Sequence, residues 1–171
     1  MNRSSAWLLA ATTMCVFASG QTVYADEAAF LRSMAGTWSG KGIVKVRTTS
    51  PTVSVTCRFQ ANTTPQSLSL NGKCTSLAIF SRSISASLKA TGSKYAGSYI
   101  GAGTGPAGLG GQRAGNTINL GVTWAKEVNG DRRAVMTIER IGNSALRLTT
   151  IDTDPGTGRS VVTSRIDLRR G

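Results

Sequence analysis

The sequence predicts an all-β protein, built as a single antiparallel up-and-down barrel of eight to ten strands with a short N-terminal helix. After residue 36, turn-forming Gly, Asn, Asp or Pro residues recur about every eight to twelve positions, a spacing typical of sandwiches and barrels. The segments between them are rich in Val, Ile, Thr and Leu and alternate apolar with polar side chains. About eight to ten such strands suffice to close a barrel without exposed edges, and a β-sandwich is the alternative.

A short helix and ten strands follow from this pattern. Helix-forming residues over 26–35 place Phe30, Leu31 and Met34 on one face, and Gly36 ends the helix. The predicted strands are 37–48, 52–60, 66–75, 79–90, 93–101, 107–113, 116–125, 132–141, 145–153 and 159–169.

The first 25 residues have the composition of a secretory signal peptide. An apolar run extends from Ala6 to Ala18, and small residues occupy a cleavage site at Val23–Ala25. A membrane-spanning helix needs about 20 apolar residues, and the polar residues 19–22 end this run earlier. We therefore predict a mature domain of residues 26–171, a periplasmic or secreted location, and no transmembrane segment after cleavage.

Two of the three cysteines, Cys57 and Cys74, belong to the predicted mature domain. Both lie on the apolar faces of neighbouring predicted strands. If the hairpin between them turns near residues 62–66, the two cysteines lie opposite or nearly opposite each other, with Cα atoms about 4.5 Å apart. A redox-active pair normally has C-x-x-C spacing, which is absent here. In an oxidising compartment, we predict a structural disulfide.

The segment from Phe30 to Gly42 resembles the opening of calycin-type barrels. Its Gly-Thr-Trp-Ser-Gly-Lys-Gly sequence is similar to the Gly-x-Trp opening of lipocalins, and more closely to the Gly-Thr-Trp-x-Gly-x-Gly opening of nitrobindin and lipocalin-like barrels. The resemblance implies that Trp38 is buried at the barrel floor under an arginine from the last strands. Arg165 is the best positional match for that arginine, and Arg147 is the second.

The chain has no histidine, which restricts its chemistry. Nitrobindins are similar to barrels that bind haem through a histidine, so the resemblance does not extend to that ligand. Met136 or Tyr99 would be the remaining haem ligands, but a methionine in a strand more often belongs to the core. Catalytic Ser-His-Asp and Cys-His arrangements and histidine-bound zinc are excluded. We predict no cofactor and no metal.

A glycine-rich segment at 101–111 contains a literal G-x-G-x-x-G pattern, formed by Gly103, Gly105 and Gly108. A dinucleotide-binding fingerprint must open a helix, and the glycines that follow do not continue as one. We predict a turn between antiparallel strands instead. Such a loop at a barrel mouth is a candidate lid over a ligand that enters opposite Trp38.

The pattern Asp152-x-Asp154-x-Gly156 imitates the first half of a calcium-binding loop. The twelfth position of such a loop, normally a bidentate Glu, is Thr163 here. Because Asp-Pro-Gly is a strong turn signal, we predict a turn between two strands rather than a calcium site. Catalytic carboxylates are also scarce: Glu139 and Asp167 have no spacing that predicts a shared site, so we predict no enzyme activity.

The net charge of +12 draws the chain toward anionic partners, although nucleic acid is not expected for an exported protein. The leading hypothesis is a non-catalytic barrel that binds a small apolar or anionic ligand in its interior. The alternative is a structural cell-envelope protein with a filled barrel that docks on an anionic envelope component. The candidate cavity lining is Val44, Val46, Val55, Phe59, Leu70, Val122 and Trp124.

Overall fold

Ten antiparallel strands form one closed barrel in the computed structural model, which describes residues 21–76 and 80–171. The β-sandwich alternative is therefore wrong. The elements are helix α1 (Gln21–Met34) and strands β1 (Gly36–Val44), β2 (Val53–Thr64), β3 (Ser67–Ser76), β4 (Phe80–Thr91), β5 (Lys94–Ile100), β6 (Ala107–Ala114), β7 (Thr117–Val128), β8 (Asp131–Ile141), β9 (Ala145–Thr153) and β10 (Ser160–Arg170). Each strand pairs with its neighbours in sequence, and β1 pairs with β10 to close the barrel.

The predicted alternation produces the barrel wall. Along β7, Ile118, Leu120, Val122 and Trp124 are buried, and the residues between them are exposed. Such period-two burial places one apolar face inside the barrel and one polar face in solvent. In β8, Met136 and Ile138 are buried inside the barrel, whereas Val135 and Ile141 lie on the opposite, exposed face.

The first strand is shorter than predicted. It was expected to continue to residue 48, but β1 ends at Val44, and residues 45–52 form a loop. Val46 is 76% exposed as a result, and it does not share the inward strand face predicted for it with Trp38.

Most of the predicted signal peptide, residues 1–20, lies outside the described residues. Its last five residues begin α1, which starts at Gln21 rather than at the predicted residue 26. Among the described residues, no helix has both the length and the apolar character needed to cross a membrane.

The predicted disulfide between Cys57 and Cys74 is confirmed. The two cysteines are directly opposed in the pairing of β2 with β3, with Cα atoms 4.1 Å apart and an S–S bond of 2.01 Å. Cys57 is fully buried, and Cys74 is 6% exposed. The bond joins the two inward strand faces and fixes the register of this hairpin.

The two ends of the barrel differ in their connections. Helix α1 lies at the end where β1 begins, together with the short turns that follow β2, β4, β6 and β8. We call this the closed end. The opposite end, which we call the mouth, carries the connections after β1, β3, β5, β7 and β9. The 101–106 connection therefore lies at the end opposite Trp38, as the sequence predicts.

Candidate functional site

Trp38 is fully buried at the closed end, where its indole Nε1 donates a 2.9 Å hydrogen bond to the carbonyl of Met34 in α1. The guanidinium of Arg170 lies 4.3 Å from the centre of the indole ring. The prediction that Arg165 packs there is wrong. Arg165 pairs with Ile43 and is exposed, whereas Arg170 pairs directly with Trp38.

Arg170 also holds the C-terminal end of α1. Its Nη1 and Nη2 donate hydrogen bonds to the carbonyls of Ala35, at 2.5 Å, and Ser33, at 2.7 Å. The last carbonyls of a helix lack partners within the helix, and a cation near them is stabilising. One arginine thus covers the tryptophan and caps the helix.

A buried carboxylate anchors the middle of α1. Glu27 is 2% exposed and accepts hydrogen bonds from the hydroxyl of Tyr95 and, at 2.9 Å, from Nε of Arg113. Arg113 also lies 4.7 Å from the centre of the Phe30 ring and forms an ion pair with Asp26. Burial, and then the hydrogen bond to Glu27, raises the pKa of Tyr95. No pattern in the sequence indicates this cluster.

A cavity of about 220 Å³ occupies the mouth half of the barrel interior. Six of the seven predicted lining residues contact it, namely Val44, Val46, Val55, Phe59, Leu70 and Trp124. Val122 is buried in the core and does not line it, so that prediction is wrong. Sequence analysis did not select other apolar lining residues, which include Ile84, Ile138, Leu148 and Ile166.

Two residues considered as haem ligands, Tyr99 and Met136, also line the cavity. The rings of Tyr99 and Trp124 are arranged edge to face, with centres 6.1 Å apart. Burial raises the pKa of Tyr99, although the charge of Arg82 opposes the shift. The indole Nε1 of Trp124 is buried and lacks a hydrogen-bond partner among the described residues. The wall is therefore mostly apolar, with two aromatic side chains that carry polar atoms.

The glycine-rich connection lies directly over polar groups at the mouth. Nη1 of Arg82 donates a 3.2 Å hydrogen bond to the carbonyl of Gly101. A Cβ atom on Gly101 would lie 2.3 Å from Oη of Tyr99, so no other residue fits here without movement. Gly103 has a φ of +79°, and a Cβ atom there would lie 2.6 Å from Nη1 of Arg82. Glycine is thus needed at both positions.

Only part of the predicted lid belongs to this connection. Gly103 and Gly105 lie within residues 101–106. Gly108 does not, because it belongs to β6 and pairs with Ser98 and Thr123. A lid that moves by loop motion is therefore restricted to residues 101–106.

Hydrogen bonds between loops tie the opposite side of the mouth. The Thr48 hydroxyl donates to Oδ2 of Asp154 at 2.9 Å, and the Thr48 amide donates to Oδ1 of Asn129 at 3.1 Å. Asn129 in turn donates to Oδ2 of Asp152 at 2.7 Å. The 45–52 loop is thereby joined to the connections after β7 and β9.

Asp154 organises the turn that was predicted from the Asp-Pro-Gly sequence. Its Oδ1 accepts hydrogen bonds from the hydroxyl and the amide of Thr157, at 2.8 and 2.9 Å. These contacts, led by the Thr157 hydroxyl and followed by the Thr48 hydroxyl, hold the pKa of Asp154 below its usual value.

The strand carboxylates lie on the outside of the barrel. Glu139 pairs with Arg147, and Arg147 pairs with Asp167, so the two carboxylates flank one arginine. Nε of Arg147 donates to Oδ1 of Asp167 at 2.6 Å. This cross-strand row differs from the expectation that no two carboxylates share a location, but it faces solvent rather than the cavity.

Comparison with known proteins identifies the fold. The chain matches no protein-family model, and no curated protein matches it. It is similar to the crystal structure of Rv2717c from M. tuberculosis, with a TM-score of 0.64 and 14% sequence identity. The match covers 85% of this chain and 97% of that chain. At this identity the similarity shows the fold alone, a closed β-barrel, which is consistent with a calycin or lipocalin-like barrel.

Proposed function

We propose that this protein binds one small, mostly apolar molecule in the mouth half of its barrel and catalyses no reaction on it. The proposal rests on the difference in packing between the two halves of the barrel interior. Fully buried side chains such as Leu68, Ile118 and Leu146 are part of the packed core, whereas about 220 Å³ of the mouth half is empty. That volume lies between the roughly 150 Å³ that accepts benzene and the roughly 300 Å³ at which drug-sized pockets begin.

The polar groups at the mouth favour a ligand with one anionic or hydrogen-bond-accepting end. Arg82 and Lys45 supply positive charge at the cavity wall. Tyr99 carries its hydroxyl proton at neutral pH, like any tyrosine whose pKa is not lowered, and is a potential donor. A nearby acceptor would also give the indole N–H of Trp124 the partner that buried donors usually have.

A binding role without catalysis is supported by the polar groups of the lining. Asp152 is the only carboxylate among the described lining residues, and it accepts hydrogen bonds from Asn129 and from the amide of Thr153. With no histidine in the chain, no general base is paired with a nucleophile there.

We also propose that the protein acts outside the cytoplasm. The Cys57–Cys74 disulfide supports this location because such bonds persist in oxidising compartments. The alternative of a purely structural envelope protein assumed a filled barrel, and the empty mouth half does not favour it.

Titration with octanoate and with octan-1-ol tests the proposal, with Trp124 fluorescence and calorimetry as readouts. Ala86 lines the cavity, so Ala86→Phe places a ring in the empty volume and should abolish binding of both probes. Ser87→Phe is the matched control, because Ser87 is the next residue in β4 and is exposed. Equal affinities for the two variants would contradict binding in the cavity.

The charged end of the ligand is tested separately. Arg82→Gln removes the positive charge but keeps a hydrogen-bond donor, so it should weaken octanoate by about tenfold and leave octan-1-ol unchanged. Native mass spectrometry of protein purified from its own source should show a bound small molecule. Failure of both probes, together with an empty natural protein, would overturn the proposed function.

A further inference from the structure

Charge is distributed unequally between the two halves of the barrel. Residues 28–126 contain 11 Lys and Arg but no Asp or Glu, whereas residues 127–171 contain eight Lys and Arg and six Asp and Glu. The first range includes the whole of β1 to β6. One half of the wall therefore lacks the acidic residues that normally intersperse a basic surface.

The pairing of the strands concentrates part of this charge on one outer surface. Lys73 of β3 lies opposite Arg58 of β2, Arg58 lies opposite Ser39 of β1, and Ser39 lies opposite Arg169 of β10. Lys41, two residues from Ser39, faces the same side. With adjacent strands about 4.8 Å apart, the row spans about 15 Å.

We call the exposed residues Lys41, Arg58, Lys73, Arg165 and Arg169 the basic face. Like charges directly opposite each other lower the stability of a sheet, so the pairing of Arg58 with Lys73 is not explained by folding. The carboxylate between these residues, Asp167, lies opposite Lys41 in the strand pairing and is ion-paired with Arg147. The basic face is thus complementary to an anionic surface.

Exposed aliphatic side chains lie at the mouth side of the basic face. Ile43, between Ser54 and Arg165 in the pairing, is 41% exposed, and Val46 is 76% exposed beside the exposed Arg47. A soluble polyanion gains nothing from exposed aliphatic groups. A bilayer surface accommodates both groups, because its phosphates attract Lys and Arg and its acyl boundary accepts apolar side chains.

From this arrangement we propose that the basic face docks the barrel on an anionic phospholipid bilayer, with Ile43 and Val46 at the acyl boundary. Docking brings the rim of the cavity toward the lipid, since Val46 also lines the cavity. The docking does not depend on a ligand in the cavity, so an experiment can contradict either proposal without contradicting the other.

Co-sedimentation of the purified protein with phospholipid vesicles tests the proposal. Wild type should bind vesicles that contain phosphatidylglycerol and should not bind vesicles of phosphatidylcholine alone. Raising the salt from about 0.1 M to about 1 M shortens the screening length from about 10 Å to about 3 Å, and should release most of the protein.

Matched charge variants locate the contact. Each basic residue near an anionic surface strengthens binding by about fivefold, so Arg58→Glu with Lys73→Glu should weaken binding by tenfold or more. Lys126→Glu with Arg133→Glu makes the same change in net charge at exposed positions of β7 and β8, away from the strands that carry the basic face, and should weaken binding by less than about threefold. Thermal unfolding verifies that each variant is folded.

Ile43→Ser with Val46→Ser separates a bilayer from a soluble polyanion. We expect this variant to bind phosphatidylglycerol vesicles several-fold more weakly and to bind dextran sulfate as wild type does. Three results would overturn the proposal: no binding to anionic vesicles, equal losses in the two charge variants, or dextran sulfate binding that vesicles do not displace.

Discussion

The two ends of the barrel are built by different kinds of interaction. At the closed end, side chains distant in sequence bury one another: Trp38 is covered by Arg170, and Glu27 receives Tyr95 and Arg113 inside the wall. At the mouth, the contacts are hydrogen bonds among loop groups, and the apolar side chains beneath them enclose empty space.

This difference indicates a division between stability and function. Burial of large apolar and paired polar groups at one end contributes most of the stabilisation, because each such group removes a large area from water. Hydrogen bonds between partly exposed loops contribute less and open at lower free energy. We therefore expect the mouth to open at lower free energy than the closed end, as the proposed ligand binding requires.

The largest expected effect is at the closed end. Trp38→Ala removes a fully buried side chain and the ring on which Arg170 packs, and should lower the free energy of unfolding by about 3–5 kcal/mol. Urea unfolding followed by circular dichroism measures this loss. A loss below about 1 kcal/mol would mean that the indole contributes little to closing the barrel.

Tyr95 should make the closed end sensitive to alkali. Because its pKa is raised in the folded state, its contribution is complete below the unfolded value of about 10 and is lost as the pH rises above it. Tyr95→Phe should lower the free energy of unfolding by about 1.5–3 kcal/mol at neutral pH, because Glu27 loses a hydrogen-bond donor. It should also reduce the further loss of stability that wild type shows as the pH becomes alkaline.

Tyr99→Phe is the matched control for this alkaline effect, since the pKa of Tyr99 at the mouth is also raised by burial but involves no carboxylate. We expect it to flatten the profile less than Tyr95→Phe. Urea unfolding from about pH 8 to about pH 11 gives the comparison. If Tyr99→Phe flattened the profile more, the closed end would not be the principal site of alkaline sensitivity.

The mouth should instead weaken in acid. The pKa of Asp154 is lowered in the folded state, so its contribution is complete above the unfolded value of about 3.9 and is lost as the pH falls through the folded one. Asp154→Asn should flatten the acid side of the melting-temperature profile more than Asp131→Asn does, because Asp154 accepts three hydrogen bonds from Thr48 and Thr157 whereas the exposed Asp131 accepts one from the amide of Arg133. The effect on stability at neutral pH should be smaller than that of Tyr95→Phe, and identical acid profiles for the two Asn variants would contradict this assignment.

The strands were predicted well because the alternation of apolar and polar side chains depends only on neighbouring positions in the sequence. It predicted the disulfide because both cysteines lie on inward faces of one hairpin. Position along the chain did not select Arg170, because the partner of Trp38 is set by the pairing of the first strand with the last. Alternation with the buried Ile166 and Leu168 agrees with the structure, since it places Arg170 rather than Arg165 on the inward face.

Contacts across long separations explain the other differences. The early end of β1 accompanies hydrogen bonds from Thr48 to residues 81 and 106 positions away. Glu27 meets its partners at separations of 68 and 86 residues. Nothing near these residues in sequence indicates such partners, so the polar cluster under α1 and the shape of the mouth required the three-dimensional structure.

The smallest effect on stability, and the sharpest test of the division, is at the 101–106 connection. Because Tyr99 pairs with Ala107, replacing these six residues by Asn-Gly-Thr leaves a two-residue turn and one residue opposite Ile100, which preserves the register of β5 and β6.

This shortened variant should lose less than about 1 kcal/mol of stability, because the replaced residues contribute little buried apolar surface and a favoured turn closes the hairpin. It also removes the backbone that lies over Arg82 and Tyr99, so the association and dissociation rates of octanoate should both rise in stopped-flow fluorescence. The shortened turn exposes the polar groups at the mouth without altering the apolar wall below them. Unchanged rates in a folded variant would show that the connection is not a gate, and a large loss of stability would show that the mouth contributes to holding the barrel together after all.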